Sequence, residues 1–313
     1  MAATVFSSVN VREAHLPISA EARTAAAQLA AHAVQALLDE ANLTPKPALV
    51  DQRGSGAHAD LTLALMHRSA HALFFCFEAI ASACKGMAPS QSLRERLGAI
   101  GRAGEQRMFA ATGCTNTHKG AIWSLGLLVA GAAICGDVDD ASAIAAAAGA
   151  IACYRDSCTE PSATHGARMQ ALYGVAGARG EAQEGFPHVI EIGLPALRAA
   201  RSRGIAEHCA RLDALMAIMA ALDDTCLLHR GGLAALRAAR HGAQRVLYEG
   251  GSSTAGGMAL LLALDAELLA RNASPGGSAD LLAATLFLDS VTLTSAKQRG
   301  PRNFAGDLEL WKN

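Results

Sequence analysis

The amino-acid sequence predicts an all-α fold, with residues 1–313 forming a single compact domain of roughly ten helices. Hydrophobic residues make up 51% of the chain and aromatic residues only 4%, and the apolar positions, mostly Ala and Leu, recur with helical spacing. No segment alternates apolar and polar residues for long, so no strand is predicted. The loops between periodic segments are short and rich in Gly, Ser and Pro, and none is long enough to divide the chain.

Capping and stop signals place the helices in order. Ser19 is the expected N-cap of a first helix that runs to about residue 40, and Asp60 that of a second helix over 61–84. The residues after Lys297 are expected to form a loosely ordered tail. Helical periodicity continues over about 91–112, 118–135, 139–154, 162–178, 187–202, 205–228, 231–248, 254–271 and 278–290.

Charge and cysteine usage exclude several classes of protein. The formal net charge is −1, which provides no basic field for nucleic-acid binding. The eight cysteines show no C-x-x-C spacing, so they indicate buried reduced thiols in a cytoplasmic protein instead of a disulfide framework or a structural zinc site. No signal peptide is visible. The uncharged stretch over 120–136 is shorter than the ~20 residues of a membrane span and predicts a buried helix, so no membrane partner is expected.

Polar residues cluster in five loops, each directly before an apolar helix: 44–60, 114–120, 159–168, 223–232 and 274–280. Helix starts present free backbone N–H groups and the positive end of the helix dipole, and both favour anions. The five loops would therefore converge on one polyanionic ligand. Ordinary helix capping also places Ser, Thr and Asp at such positions.

The first loop combines a constrained lysine with a glycine-rich turn. Two prolines hold Lys46 in an extended segment, and the glycines let the backbone approach a phosphate closely. The residues expected at phosphate are Lys46, Arg53, Gly54, Ser55 and Gly56. The candidates for proton transfer or Mg²⁺ binding are Asp51, His58 and Asp60. A flexible turn with a capping aspartate would account for the same residues.

The second and third loops each place a histidine beside a cation. Thr117 is the expected cap of the next helix, which leaves His118, Lys119 and Gly120 in its first turn. Cations there oppose the helix dipole, and a bound phosphate would reconcile them. In the third loop, His165 and Arg168 are candidates for contacts to phosphate or ribose.

The fourth and fifth loops pair acids with glycine turns. Their carboxylates are candidate metal ligands: Asp223, Asp224 and Asp280. Their other residues are candidates for phosphate binding: His229, Arg230, Gly231, Gly232, Ser274, Gly276, Gly277 and Ser278. An ordinary helix C-terminus followed by Gly would explain much of the fourth loop, and dipole stabilisation would explain Asp280.

Other patterns carry less information. His67 and His71 share a helix face, as metal ligands often do, but no third ligand lies nearby in the sequence. The chain has no G-x-x-x-x-G-K-[ST] loop, no G-x-G-x-x-G turn within a βαβ unit and no G-x-S-x-G elbow. Binding of ATP would therefore take place outside the common nucleotide folds.

The five loops, in this order, resemble the triphosphoribosyl-dephospho-coenzyme A synthase family, which serves citrate lyase and malonate decarboxylase. The resemblance extends over about 44–290 and is closest to the malonate decarboxylase branch; Ala48 stands where the family pattern has Gly, and the first 40 residues contribute nothing. It implies an all-α fold and a reaction of ATP with 3′-dephospho-CoA that releases adenine. It also implies a separate transferase that passes the product to a serine of the acyl-carrier subunit.

The implied chemistry is glycosyl transfer at C1 of the ATP ribose, through an oxocarbenium-like transition state. Candidate bases for the attacking 2′-hydroxyl are Asp51 and Asp60. Candidate acids for the departing adenine are His58, His118 and His165. Lys46, Lys119 and Arg230, with Mg²⁺ on Asp223 or Asp280, would hold the triphosphate. The alternatives are the citrate lyase branch, an ATP-dependent kinase or nucleotidyltransferase, and a non-catalytic nucleotide-binding assembly subunit.

Overall fold

The structure, a computed structural model, describes residues 20–136, 139–158 and 165–299. Ser19, the loop residues 159–164 and the tail beyond 299 lie outside the described residues. Within them the chain is helical and contains no strand, only an isolated bridge between Asp51 and Gly54. The all-α prediction is confirmed.

The described part contains thirteen α-helices and one π-helical turn. They are α1 (Ala20–Asn42), α2 (Leu63–Ala72), α3 (Phe74–Cys84), α4 (Gln91–Thr112), α5 (Lys119–Cys135), α6 (Ala141–Ala152), α7 (His165–Tyr173), α8 (Gly177–Gln183), the π-helical turn (His188–Gly193), α9 (Leu194–Ser202), α10 (Glu207–Ala221), α11 (Thr225–Tyr248), α12 (Ala255–Ala270) and α13 (Gly276–Arg299).

Two expected caps are replaced by their neighbours. Thr62, not Asp60, caps α2, because its side chain accepts a hydrogen bond from the Leu65 N–H at 3.2 Å. Thr117 does not cap α5 either: His118 occupies the N-cap position. The predicted helix over 61–84 is two helices that meet at Leu73.

The C-terminal half differs at one boundary that matters for the site. The predicted helix over 205–228 ends at Ala221, and α11 begins at Thr225, six residues before the expected start at 231. Asp224 is the N-cap of α11 and accepts hydrogen bonds from the Cys226 and Leu227 N–H groups. The Gly-Gly pair, which predicted a turn after a helix C-terminus, lies inside α11, where Gly232 interrupts the helical conformation with φ 63° and ψ −162°.

Helix α5 lies at the centre of the core. Its residues are buried almost continuously from Ala121 to Ala132, and it packs against α1, α3, α4, α6, α8 and α13. Small residues allow close approach, since a Cβ on Gly131 would lie 2.3 Å from the Ile144 carbonyl oxygen of α6. The prediction of a buried helix over 120–136 is confirmed, and none of the described helices has the length and apolarity to cross a membrane.

The cysteines are all unpaired, as predicted, but their burial varies. Cys76, Cys84 and Cys209 are buried, whereas Cys114, Cys153 and Cys158 are exposed, which corrects the expectation of uniformly buried thiols.

Candidate functional site

The starts of α5, α11 and α13 meet the end of α1 and the loop over 43–62. Gly120 of α5 faces Asp280 of α13 so closely that a Cβ on Gly120 would lie 2.0 Å from Asp280 Oδ2. The Arg230 guanidinium of α11 donates a hydrogen bond to the Ala57 carbonyl at 2.8 Å. Four of the five predicted loops therefore converge. The third loop is described only from residue 165, where α7 packs against α11.

Lys46 is buried against the end of α1. Its ammonium group donates to the Glu40 carboxylate at 2.5 Å and to the Glu40 carbonyl at 2.6 Å, and only 1% of its side chain is exposed. A buried ammonium needs such a partner because water no longer solvates it. Lys46 thus lies beneath the site instead of at its surface. Its counter-ion is Glu40, which belongs to none of the five predicted loops.

Asp51 holds the first loop in shape. Its carboxylate accepts hydrogen bonds from the Thr44 hydroxyl, the Lys46 and Arg53 N–H groups and the Arg53 side chain. Burial alone would raise the pKa of Asp51, but these hydrogen bonds and the Arg53 charge outweigh it and lower that pKa. Arg53 also pairs with Asp265 of α12 at 2.7 Å.

The glycines of this loop have different surroundings. Gly56 adopts a positive φ of 57°, and a Cβ there would lie 2.4 Å from the Ala48 carbonyl oxygen, so the turn requires glycine. Gly54 is exposed with open space around its Cα, and Ser55 is partly buried.

His118 is buried at the start of α5, at the end of a hydrogen-bonded chain. The Thr117 hydroxyl donates to Ser69 Oγ at 2.6 Å, and Ser69 Oγ lies 2.7 Å from His118 Nδ1. Burial and the nearby Lys46 charge lower the pKa of His118 to about 3, so the ring is neutral at pH 7. Ser69 can either donate to Nδ1 or accept from it, so this hydrogen bond fits both neutral tautomers of the ring. Nε2 is buried without a hydrogen-bond partner.

Asp224 caps two helices at once. Its Oδ1 accepts from the Cys226, Leu227 and Gly277 N–H groups, and its Oδ2 accepts from the Ser278 N–H and hydroxyl. One buried carboxylate therefore joins the starts of α11 and α13, as the favourable interaction of anions with helix N-termini predicts. Its neighbour Asp223 is exposed and pairs with Arg240 at 3.0 Å.

Asp280 has a different environment from Asp224. Its side chain is partly buried and faces Gly120, and no described residue provides it with a hydrogen bond or an opposite charge. Burial, followed by the negative charges of Glu40 and Asp224, raises the pKa of Asp280 well above its usual value. Among the three predicted metal ligands, Asp280 alone has neither a hydrogen bond nor an ion pair with a described residue.

Arg230 and His58 form the outer edge of the site. Arg230 donates to His58 Nδ1 at 3.0 Å, so Nε2 of that ring carries the hydrogen. Burial and the Arg230 charge lower the pKa of His58 to about 4, while Asp60 opposes the shift. Asp60 itself is exposed.

The remaining predicted residues are spread over the same region. Lys119 is half exposed and pairs with Glu105 at 3.1 Å. Ser274 and Ser278 are buried, Gly276 packs on Cys226, and Gly231 packs on Ala235. His229 and Arg168 are exposed. His165 begins α7, but its side chain lies outside the described residues.

No metal-binding cluster is preformed in the described part of the chain, since no three His, Cys, Asp or Glu side chains gather there as metal ligands. His67 instead bonds Asn42, and His71 bonds the His67 carbonyl. Two adjoining surface depressions of about 430 and 420 Å³, lined largely by α6 and the π-helical turn, contain none of the predicted site residues. The chemistry therefore concentrates where the helix starts meet.

Fold and site together define a class: an all-α protein whose helix starts gather acids, neutral histidines and cations for an anionic ligand. The sequence profile of the CitG family, described as ATP:dephospho-CoA triphosphoribosyl transferase, matches residues 26–299. The chain belongs to this family, and it is an enzyme, as the five loops predicted.

Two relatives illustrate the similarity. A probable 2-(5″-triphosphoribosyl)-3′-dephosphocoenzyme-A synthase of Stutzerimonas stutzeri (strain A1501) is 54% identical over 277 residues, covering 88% of this chain and 95% of the relative. A 2-(5″-triphosphoribosyl)-3′-dephosphocoenzyme-A synthase of Klebsiella pneumoniae is 52% identical over 275 residues, covering 88% of this chain and 98% of the relative. No solved structure matches the chain.

Proposed function

We propose that this protein transfers the 5-triphosphoribosyl group of ATP to the 2′-hydroxyl of 3′-dephospho-CoA and releases adenine. The observation that carries the proposal is the convergence of four of the five loops at the starts of α5, α11 and α13, in a chain that belongs to the transferase family. Helix starts provide the N–H groups that favour phosphate. The product would be the prosthetic-group precursor of an acyl-carrier subunit.

The reaction requires a net transfer of one proton. The C1–N9 bond of ATP breaks, the 2′-oxygen of 3′-dephospho-CoA bonds to C1, and the hydroxyl proton is lost while adenine gains one. A carboxylate is suited to receive the proton, and a neutral imidazole N–H or a protonated acid is suited to donate one.

Among the candidate bases, the surroundings favour Asp280 over Asp51 and Asp60. Asp51 is engaged on both oxygens and has a lowered pKa, and Asp60 is exposed to solvent. Asp280 is partly desolvated and has no described partner, and a raised pKa makes a carboxylate a stronger base. Among the candidate acids, His58 and His118 are both neutral at neutral pH, and His58 holds its hydrogen on Nε2.

Mg²⁺ is the proposed cofactor, and Asp280 fits it as the alternative to the role of base, because a carboxylate that binds Mg²⁺ does not also take up the hydroxyl proton. Mg²⁺ prefers carboxylate and phosphate oxygens and is commonly held through one or two carboxylates plus substrate phosphates. Asp280 is a carboxylate in a negative environment without a described cation of its own. When bound with ATP, Mg²⁺ would neutralise part of the triphosphate charge. Asp223 and Asp224 fit less well, because Arg240 and the two helix starts engage them.

We propose that the product serves malonate decarboxylase assembly in the cytoplasm, where a separate transferase would attach it to the acyl-carrier subunit; the resemblance of the loops to that branch supports this proposal. The alternative is the citrate lyase branch. Because the same product would serve either branch, the identity of the neighbouring genes, not the chemistry of the product, separates the two.

The reaction is tested by chromatography with mass detection after incubation of the protein with ATP, Mg²⁺ and 3′-dephospho-CoA. Free adenine, matched by a product that retains all three ATP phosphates, is expected. Formation of ADP or pyrophosphate would replace the proposal with phosphoryl or nucleotidyl transfer. Folded protein that binds ATP without turnover would indicate a binding subunit.

A further inference from the structure

Two arginines of α4 converge on one aspartate, beside Trp123 of α5 and Arg179 of α8. Arg94 and Arg102 of α4 both reach Asp156 Oδ2, at 3.4 and 2.7 Å. The Arg94 guanidinium carbon lies 5.2 Å from the centre of the Trp123 ring. Arg179 of α8 is close enough for its charge to disfavour the charged form of Arg94. None of these residues belongs to the five loops.

The cluster contains three cationic side chains but only one carboxylate that neutralises them and accepts their hydrogen bonds. Asp156 is buried and already serves Arg94, Arg102 and the Cys158 N–H. The adjacent acid, Glu95, is engaged by Gln91 and Ser157 instead. Arg94 Nε is buried and has no hydrogen-bond partner, which is costly for a donor on a cation. An additional acceptor with negative charge would satisfy the cluster.

The cluster is continuous with the start of α5. Trp123 lies one helical turn beyond Lys119 and Gly120, so these side chains share a face of α5. On α4, Arg102 lies one turn before Glu105, which pairs with Lys119. The arginine cluster therefore adjoins the candidate site, because Gly120 lies between Asp280 and the arginines. Arg102 is 40% exposed and Arg179 is exposed, so a ligand can reach both.

We propose that Arg102 and Arg179, positioned around Arg94 and Trp123, bind the phosphate chain of a nucleotide substrate. The planar guanidinium group donates two parallel hydrogen bonds to phosphate oxygens, and arginine is therefore suited to this role. The inference rests on the proposed function and extends the site beyond the loops. The phosphate chain belongs either to the triphosphate of ATP or to the diphosphate of 3′-dephospho-CoA.

Calorimetric titration of the full chain tests the inference. Arg102→Gln and Arg179→Gln are each expected to weaken binding of a phosphate-bearing ligand by about 10- to 100-fold, as for a hydrogen bond to a charged group. Arg96→Gln is the matched control, because it removes the same charge from an exposed position on α4. Affinity lost for ATP but not adenosine assigns the triphosphate; affinity lost for 3′-dephospho-CoA but not pantetheine assigns the diphosphate.

The inference is overturned if both variants bind both nucleotides with wild-type affinity, or if Arg96→Gln weakens binding equally. Arg179→Gln keeps the interpretation free of folding effects, because Arg179 is not among the donors to Asp156.

Adenine release by the wild-type protein separates this inference from the proposed function. Weakened nucleotide binding in the variants without adenine release by the wild type would refute the function and support the cluster. Adenine release with unchanged KM values in both variants would refute the cluster alone.

Discussion

Single residues of similar type have opposite environments in this site. Glu40 and Asp280 are neighbouring acids, yet Glu40 has the Lys46 ammonium at 2.5 Å, whereas no described cation contacts Asp280. A buried ion pair contributes mainly through the penalty of leaving one charge alone. Replacing Lys46 by a neutral residue should therefore lower the free energy of unfolding, whereas replacing Asp280 by a neutral residue should raise it.

Lys46→Met should destabilise the protein by about 3–5 kcal/mol, because Glu40 would remain buried without its counter-ion. The double variant Lys46→Met, Glu40→Gln should recover a large part of that loss. Urea unfolding measures both, with Lys85→Met at an exposed position as the control. An unchanged unfolding midpoint for Lys46→Met would contradict the buried pair.

Asp280→Asn should raise thermal stability at pH 8 while lowering adenine release by about 10²–10⁴-fold. The raised pKa means that the folded state holds this proton more tightly, so ionisation of Asp280 lowers stability as pH rises above the unfolded value. Calorimetry at pH 8 and an adenine assay measure the two effects. Asp60→Asn should leave stability unchanged, and full turnover in that variant would exclude Asp60 as the base. A lower melting temperature for Asp280→Asn would show that Asp280 has a stabilising partner.

Residue types and loops were predictable from the sequence, whereas pairing across the fold was not. The spacing of Lys46, Asp51 and Asp60 in one loop suggested a common role, but the structure separates them into a buried ion pair, a loop brace and an exposed acid. Glu40 gave no signal because it falls at the end of an ordinary helical pattern. Its role follows only from a contact with Lys46.

At the scale of elements, helix periodicity located most helices, but caps decided their boundaries. The expected span of α4 coincides with Gln91–Thr112. For α11, the Gly-Gly pair predicted a turn between helices over 205–228 and 231–248, whereas the carboxylate of Asp224 starts the helix earlier. A glycine in the sequence indicates a change of backbone direction, but it does not distinguish the start of a helix from an interruption within one.

Gly232→Ala should destabilise the protein by about 1–3 kcal/mol. The backbone there combines φ 63° with ψ −162°, a region essentially restricted to glycine. The added Cβ would be no closer than 3.7 Å to Tyr173 Oη, so the cost is backbone strain instead of a clash. Gly101→Ala in α4 is the matched control, because the nearest atom to its Cβ lies 4.0 Å away. That control should stabilise by about 0.5–1 kcal/mol. Equal effects of the two substitutions in urea unfolding would argue against strain at Gly232.

At the scale of the whole molecule, one hydrophobic core joins helices from α1 to α13. The sequence predicted a single domain, and the shared core is consistent with one cooperative unfolding unit; this remains a prediction. The site lies among the starts of three of these core helices. Protonation of groups buried there should therefore be coupled to global unfolding of the protein. His118 is the clearest example.

The free energy of unfolding should fall as pH decreases below 6.5, and His118 should contribute about 2 kcal/mol of that fall by pH 5. Burial lowers the pKa of His118 from its usual 6.5 to about 3. Between pH 3 and pH 6.5, His118 therefore binds a proton in the unfolded chain but not in the folded chain. Acidification therefore favours the unfolded state. Urea unfolding at pH 7.5 and pH 5 should show the stability gap between wild type and His118→Gln shrinking by this amount at pH 5. His71→Gln removes an imidazole from an exposed position and is the matched control. If wild type and His118→Gln lose the same free energy between the two pH values, His118 is not held neutral by the fold.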